Sequence, residues 1–486
     1  MRPEGTRVAQ QAAPEQAQRL NPIERMALAV YGLLMRLLQP WVRRRHRRRG
    51  RAEPGYLQHM EQRFGHYPGL EPSSGWVWIH AVSLGETRAA ALLLAALREQ
   101  VPGMRLLLTH GTATGRAEGA KLLRPGDLQV WQPWDTPAAV QRFLQQFRPA
   151  LGVLLETEVW PHWVQGCRAH GVPLYLVNAR LNPKSLRAAQ RLRCLMRPAY
   201  AGLSAVLAQT EADAARLRQL GADAVQVLGN LKFDLTPDAA QIERGRRWRA
   251  ALGGRRVLML ASSREGEEAL WLQALRQAPS QVQAGWLGAA QGHRSAAGPA
   301  AATSHHQAPL WLLVPRHPQR FDAVAALLQQ AGLSVFRRSQ WPEGLETAQE
   351  LEAPAAARSA QVWLGDSLGE MQAYYAMADL AWLGGSFLPL GGQNLIEAAA
   401  CGCPVLMGPH TYNFHDAAEQ ALHCGAALRV PDMAAALPAT RHWLDDAAAL
   451  QRARQGCAAL LQQGQGAAQR SAAELRAALA PATPSA

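Results

Sequence analysis

Residues 75–109 read GWVWIHAVSLGETRAAALLLAALREQVPGMRLLLT, and the alternation inside this stretch decides the fold class. Gly75–Ser83 is a short apolar run rich in β-branched and aromatic residues, too brief for a helix and apolar on both faces. It predicts a buried strand. Gly85 opens a helix that runs through Thr87–Gln100, and Met104–Thr109 is a second continuous apolar run, a second strand. Strands apolar on both faces belong in a parallel sheet covered by helices on each side. Further strands are expected at Leu128–Gln132, Leu151–Glu156, Leu174–Asn178, Ala205–Gln209 and Val225–Leu228. After a boundary near Asn230–Leu252 the pattern starts again. It gives strands at Arg256–Ala261, Pro309–Pro315, Leu333–Arg337, Gln361–Leu364, Leu380–Gly384 and Pro404–Met407, with helices at Glu265–Gln277 and Phe321–Ala331. The expectation is an α/β chain of two doubly wound domains, with parallel sheets facing an interdomain cleft and a nucleotide at the carboxyl ends of the second sheet.

The chain has 486 residues, 48% of them hydrophobic, which is enough for two packed cores. A formal net charge of +14 suggests nucleic acid, but Arg43–Arg51 alone holds seven arginines and no acid. No stripe of basic and aromatic residues recurs elsewhere, so a nucleic-acid partner is not expected. The six cysteines form no C-x-x-C and no zinc spacing, and they read as reduced thiols.

Residues 1–25 are polar and read as a disordered tail. Residues 26–51 read as a membrane anchor helix with a basic flank. Met26–Val42 is apolar except for Arg36 and Gln39, with Trp41 at its end. It is compatible with a span, with a helix lying flat on anionic lipid, or with a buried first helix. Residues 280–308 read as a low-complexity, disordered surface insertion; its His305 and His306 lack acidic or thiol partners and are not expected to bind metal.

Carboxylates cluster at strand ends of the first domain. Glu86, in Ser83-Leu84-Gly85-Glu86-Thr87, can take a proton from a hydroxyl or can simply decorate a helix start. Glu156 and Glu158 lie at the carboxyl end of the strand expected at Leu151–Glu156, and one of them can cap the next helix. Lys232, in Asn230–Asp234, faces either a developing negative charge or Asp234. In the second domain, Ser262 and Ser263 meet a helix start where main-chain N–H groups bind anions. Pro315 and Arg316 put a guanidinium at a strand end, and Leu368, Gly369 and Glu370 lie in a further strand-end loop. The most informative run is GGS (384–386), then GGQNLIE (391–397), closed by Gly-Cys-Pro-Val. Its glycines let the main chain approach a phosphate, the helix near Asn394 points its N-terminus there, and Glu397 can accept from ribose hydroxyls. No D-x-D, Walker loop or G-x-G-x-x-G accompanies it. A donor with one phosphate and no metal fits.

Taken in order, these stretches resemble the Kdo (3-deoxy-D-manno-octulosonic acid) transferase family. The matching runs are HAVSLGET (80–87), LLETEVWP (154–161), NARL (178–181), NLKFD (230–234), SSREGEE (262–268), PRHPQRF (315–321), GDSLGEM (365–371) and GGQNLIEAAACGCPVLMGPHTYNF (391–414). The resemblance implies a GT-B fold of two Rossmann-like domains: residues 52–235 for the acceptor, 236–460 for the donor, and 461–486 as a C-terminal helix and tail. It implies CMP-Kdo as donor, a lipid A precursor (lipid IVA) as acceptor, and inverting transfer without metal or cofactor. It implies a place on the cytoplasmic face of the inner membrane. It also implies Glu86 as the base for the 6′-hydroxyl, with Glu156 and Lys232 stabilising the transition state. Pro315, Arg316, Leu368, Gly369, Glu370, Asn394, Leu395, Ile396 and Glu397 match the CMP-binding stretches. Arg264 and Gln393 depart from the family's more usual histidines. The alternatives are a UDP-sugar transferase of the same fold and a non-catalytic protein that binds sugar nucleotides or anionic lipid.

Overall fold

The structure is a computed structural model that describes residues 20–287, 308–341 and 354–480. It divides into two compact units, one running to Asn230 and including the residues from 468 onward, the other Leu231–Ala467.

In the first unit seven strands form one parallel sheet in the order β3-β2-β1-β4-β5-β6-β7. The strands are β1 Trp76–His80, β2 Arg105–His110, β3 Leu128–Trp131, β4 Pro149–Leu155, β5 Leu174–Ala179, β6 Ala205–Ala208 and β7 Val225–Val227. Their interiors are apolar on both faces, as the reading of residues 75–109 requires. Trp78 of β1 is fully buried and packs on Phe143 and Trp163 at ring separations of 5.1 and 4.7 Å. Its ring needs the glycine opposite it. A Cβ on Gly152 of β4 would come within 2.8 Å of the indole. The indole N–H donates to Thr109 Oγ1 at 2.8 Å, so burying it leaves no unpaired donor.

Helix α1 spans Pro22–Ala52 and is started by an Asn21/Glu24 capping box. Two expectations change here. The helix begins before residue 26, and the arginine run is its last turns, not a separate flank. Arg43 and Arg49 lie over the rings of Phe64 and Tyr56, which draws those turns onto the protein body. Residues 1–19 of the expected tail lie outside the described residues. Gly32 lets the helix approach closely, because a Cβ there would sit 2.8 Å from His162 Nε2. The opposite face is apolar and exposed: Ile23, Met26, Val30, Leu33, Leu34, Leu37, Leu38 and Trp41. No helix among the described residues is long and apolar enough to cross a membrane.

The second unit repeats the plan with a seven-stranded parallel sheet in the order β10-β11-β9-β8-β12-β13-β14. Its strands are β8 Val257–Ser263, β9 Leu310–Pro315, β10 Val335–Arg337, β11 Val362–Leu364, β12 Leu380–Leu383, β13 Val405–Met407 and β14 Ala427–Arg429. The sheet carries an apolar layer on each face; Trp311 meets Trp271 and Trp382 edge-on in one of them. The first residues of the expected insertion are helical. Ser280–Leu287 forms a helix because Trp286 is buried against Trp311 and under the Arg441 guanidinium. Residues 288–307, with His305 and His306, lie outside the described residues. The contact division falls at Asn230/Leu231, where the expected boundary was 235/236. Leu231 and Phe233 are buried in the second unit, the latter against Gly464. All six cysteines are free.

Candidate active site

In each sheet the chain reverses direction of growth once, between β1 and β4 in the first and between β8 and β12 in the second. Loops diverge at such a point and leave a crevice at the carboxyl ends. Non-glycine residues held in the left-handed region mark these ends: Glu156 (φ 57°) after β4, Asn178 (φ 55°) in β5 and Ser262 (φ 55°) in β8. Such conformations cost roughly 1–3 kcal/mol each and persist where the surroundings impose them.

In the first unit, helix α2 (Leu84–Gln100) starts at the β1 end with Ser83 as its N-cap and Glu86 reaching back. Glu86 Oε2 accepts from the N–H groups of Val82 (2.5 Å) and Ser83 (3.4 Å). Oε1 has no hydrogen-bond partner among the described residues. One oxygen therefore caps the helix, as one of the two sequence readings has it, and the other is not used by the cap. Burial, and then the charges of Glu158 and Glu156, lift the Glu86 carboxyl to about 7. Glu156 is buried and paired with Arg180 at 2.8 Å. Glu158 accepts from the Trp160 indole at 2.9 Å and is itself raised, mainly by burial. The structure thus gathers Glu86, Glu156 and Glu158 at one sheet edge. Sequence reasoning gave Arg180 no role. It lies in the quoted NARL run, but nothing in the run says which carboxylate it meets.

The second unit holds the other expected residues. Lys232 Nζ lies 5.5 Å from the Phe414 ring centroid. Ser262 is half-buried, but Ser263 differs from expectation. Its hydroxyl is fully buried and donates to Glu268 at 2.6 Å, where Arg320 also binds through both Nη atoms at 2.9 and 2.6 Å. Glu267 accepts from the N–H groups of Arg264 (2.8 Å), Gly385 (2.7 Å) and Phe387 (3.3 Å). This carboxylate sits where an anion was expected and knits the β8 and β12 ends together. The remaining cations are Arg316, exposed after Pro315 at the end of β9, and Arg264, paired with Glu265 at 3.2 Å. His317 is lowered by burial and then by Arg264 and Arg316.

Leu368 is exposed, and Gly369 (φ 83°) turns the loop beside it. Glu370 is committed elsewhere, to Arg338 (2.8 Å), Arg244 (3.3 Å) and the Ser367 hydroxyl (2.5 Å), so this loop offers main chain and not a carboxylate. Asn394 caps the short helix Leu395–Ala400, and its side chain accepts from Ile396 N–H at 3.2 Å. Leu395 and Ile396 are buried and Glu397 is half-buried. Gly391 (φ 90°) is required by contact as well as by φ: a Cβ would come within 2.3 Å of the Asn413 amide.

With this geometry in hand, comparison with known proteins is specific. Residues 58–235 match the family described as 3-deoxy-D-manno-octulosonic-acid transferase (kdotransferase). A 3-deoxy-D-manno-octulosonic acid transferase of Bordetella pertussis is 46% identical over 443 residues, 87% of this chain and 95% of the relative. That of Haemophilus influenzae is 29% identical over 388 residues, 79% and 82% of the two chains. Among solved structures, Anabaena HepE in complex with UDP superposes with a TM-score of 0.53 at 15% identity, covering 84% of this chain and 99% of that one. A glycosyltransferase of Rickettsia africae gives 0.52 at 11% identity, covering 84% and 100%. At such identities these two likenesses concern the fold.

Proposed function

Because the chain belongs to the 3-deoxy-D-manno-octulosonic acid (Kdo) transferase family and is a glycosyltransferase, we propose that it moves Kdo from CMP-Kdo onto the 6′-hydroxyl of a lipid A precursor, lipid IVA, in lipopolysaccharide core synthesis. The observation that carries this reading is Glu86, a carboxyl lifted to about 7 with one oxygen anchored and one left over. A general base works best with a pKa near the operating pH. In the proposed step the acceptor hydroxyl gives its proton to Glu86 Oε1. The oxygen bonds to the anomeric carbon from the face opposite CMP, the bond to the CMP oxygen breaks, and its electron pair leaves on the phosphate. The configuration inverts. Glu156, steadied by Arg180, and Lys232 are assigned to stabilising charge in that step.

For the donor, the reading uses main chain at Ser262, Leu368–Gly369 and Asn394–Ile396, the Arg316 guanidinium beside Pro315, and Glu397 for ribose hydroxyls. Glu370 and Ser263 shape these loops. The leaving group carries a single phosphate, and the proposed reaction uses no metal or cofactor. Helix α1 is assigned to lie flat on the cytoplasmic face of the inner membrane, apolar face down, with its exposed arginines at anionic headgroups.

The test is CMP release by purified protein given CMP-Kdo and tetraacylated lipid A precursor. Release should require the lipid and should fall about 10²–10⁴-fold in Glu86→Gln. Turnover with a UDP-sugar in place of CMP-Kdo would overturn the donor assignment. Binding of both substrates without turnover would overturn the catalytic reading.

A further inference from the structure

Near the Glu86 edge of the first unit, cations are packed together with no carboxylate paired to them among the described residues. Arg63 is only 3% exposed, and its guanidinium lies 3.7 Å from the centroid of the Trp131 ring. Arg116, in helix α3 (Ala113–Ala120), lies 4.9 Å from the same ring. Tyr56 stacks on Trp131 at 6.3 Å, with His46 stacked on Tyr56 at 5.8 Å and Arg49 lying 5.1 Å from its centroid. Aromatic faces attract cations only modestly. A buried guanidinium ordinarily has an anion beside it. None of these three arginines forms an ion pair with a described residue.

Their hydrogen bonding is likewise incomplete. Arg63 Nη2 donates to Gly111 O at 3.3 Å. Arg63 Nε, Arg116 Nη1 and His46 Nδ1 are buried without a partner among the described residues, as are both amide atoms of Gln132, the residue after Trp131. Burial and then Arg116 and Arg49 pull Arg63 down to about 10; burial and then Arg63, Arg49 and Arg45 pull His46 down to about 4. These cations repel one another; Tyr56 offsets part of this at Arg63, and no carboxylate among the described residues pairs with Arg63, Arg116 or Arg49. The cluster is also tied to the candidate base. Gly111, which accepts from Arg63, donates to Val82 O at 3.2 Å, and Val82 N–H is the group bound to Glu86.

We propose that Arg63, Arg116, Arg49 and the His46–Gln132 surround form a binding site for a phosphate monoester, and that its occupant is a phosphate carried by the acceptor. Several donors converging on one place suit a tetrahedral dianion better than a single carboxylate. The exposed apolar residues of α1 end at Trp41, before His46 and Arg49, and the hydrogen-bond chain leads to Glu86. Those two facts favour the acceptor over a bilayer headgroup. The assignment of the occupant rests on the proposed reading of the acceptor as a phosphorylated sugar lipid; the site itself does not. Held there, the phosphate would fix which hydroxyl of the sugar reaches the base.

Two measurements on the full chain in detergent test this. In the first, thermal unfolding is followed with inorganic phosphate against chloride at equal ionic strength. Phosphate should stabilise the wild type and do less for Arg116→Gln, a half-buried position chosen because Arg63→Gln can fail to fold. Equal stabilisation of both overturns the site, whatever the enzyme transfers. In the second, transfer is measured with a phosphorylated acceptor and with the same acceptor after phosphatase treatment. Arg116→Gln should raise KM for the phosphorylated acceptor about 10–100-fold and leave KM for CMP-Kdo unchanged. On the dephosphorylated acceptor, wild type and variant should coincide. An equal loss on both acceptors overturns the acceptor assignment. So does loss of binding to phosphatidic acid vesicles in the variant with no change in acceptor kinetics. Wild type that turns over neither acceptor sinks the transferase reading, while the phosphate measurement still decides the site.

Discussion

Glu86 Oε2 is held by the main chain of Val82 and Ser83 while Oε1 has no hydrogen-bond partner among the described residues, so the side chain is positioned through one oxygen alone. Its folded carboxyl titrates near 7, against an ordinary value of 4.5. The rate should therefore rise with pH through about 7 in the wild type, and the residual rate of Glu86→Gln should lose that inflection. A pH profile of kcat/KM checks both. Stability carries the same signature with the sign of a raised group. The folded protein keeps this proton where the unfolded chain has lost it, so the contribution is whole below about 4.5 and is lost as pH rises through 7. Gln preserves the capping box but cannot ionise. Glu86→Gln should therefore gain, relative to wild type, roughly 1–3 kcal/mol between pH 5 and pH 8, read by urea unfolding at the two pH values. A constant difference would mean that the Glu86 proton is not coupled to folding.

Among the elements, α1 is the one whose exposed side is hardest to explain by packing. Tyr31 stacks on His162 and hydrogen-bonds to the buried Asp135, whose carboxyl burial lifts to about 7, so one face is fastened to the unit. The other shows Leu33 (57% exposed) and Leu37 (68%). If that face meets lipid, Leu33→Asp and Leu37→Asp should each weaken binding to anionic vesicles by about tenfold or more. Vesicle flotation measures this, and unchanged flotation would remove the membrane assignment. The apolar stripe was legible in the sequence; where α1 starts was not, because Asn21 and Glu24 act only as a pair. The strands were legible wherever they form continuous apolar runs, as Trp76–His80 does. The strand Ala427–Arg429 was not, since one buried and two exposed residues carry no period. Nor was the helix Ser280–Leu287, whose composition reads as loop until Trp286 finds Trp311. At the site, residue types at strand ends pointed to Glu86 and Glu156. Spacing could not reveal that Glu267 fills the expected anion position or that Arg63 and Arg116 share the Trp131 ring, because those partners meet only through the fold.

For the whole molecule, chain order and compact units do not coincide at the C-terminus. The helix Ala447–Gly464 belongs to the second unit, but from Ala468 the chain packs with the first. The helix Ala467–Leu479 buries Ala468, Ser471, Ala472 and Leu475. Gln469 exchanges hydrogen bonds with Glu99 and Gln100 at the end of α2, and Arg470 donates to Leu228 O at 2.8 Å, just past β7. The last helix, expected as part of a C-terminal helix and tail over 461–486, therefore packs as an added layer of the first unit. Leu475 is fully buried, and truncating a buried leucine to alanine typically costs 2–5 kcal/mol. Leu475→Ala should lose about that much locally, seen as faster amide exchange in the last turn of α2 and around β7. Exchange in β8, β9 and β12 of the second unit should not change. Acceleration spread equally over both sheets would show that the terminal helix stabilises the two units jointly, and the contact-based assignment of residues 468–480 to the first would have to be given up.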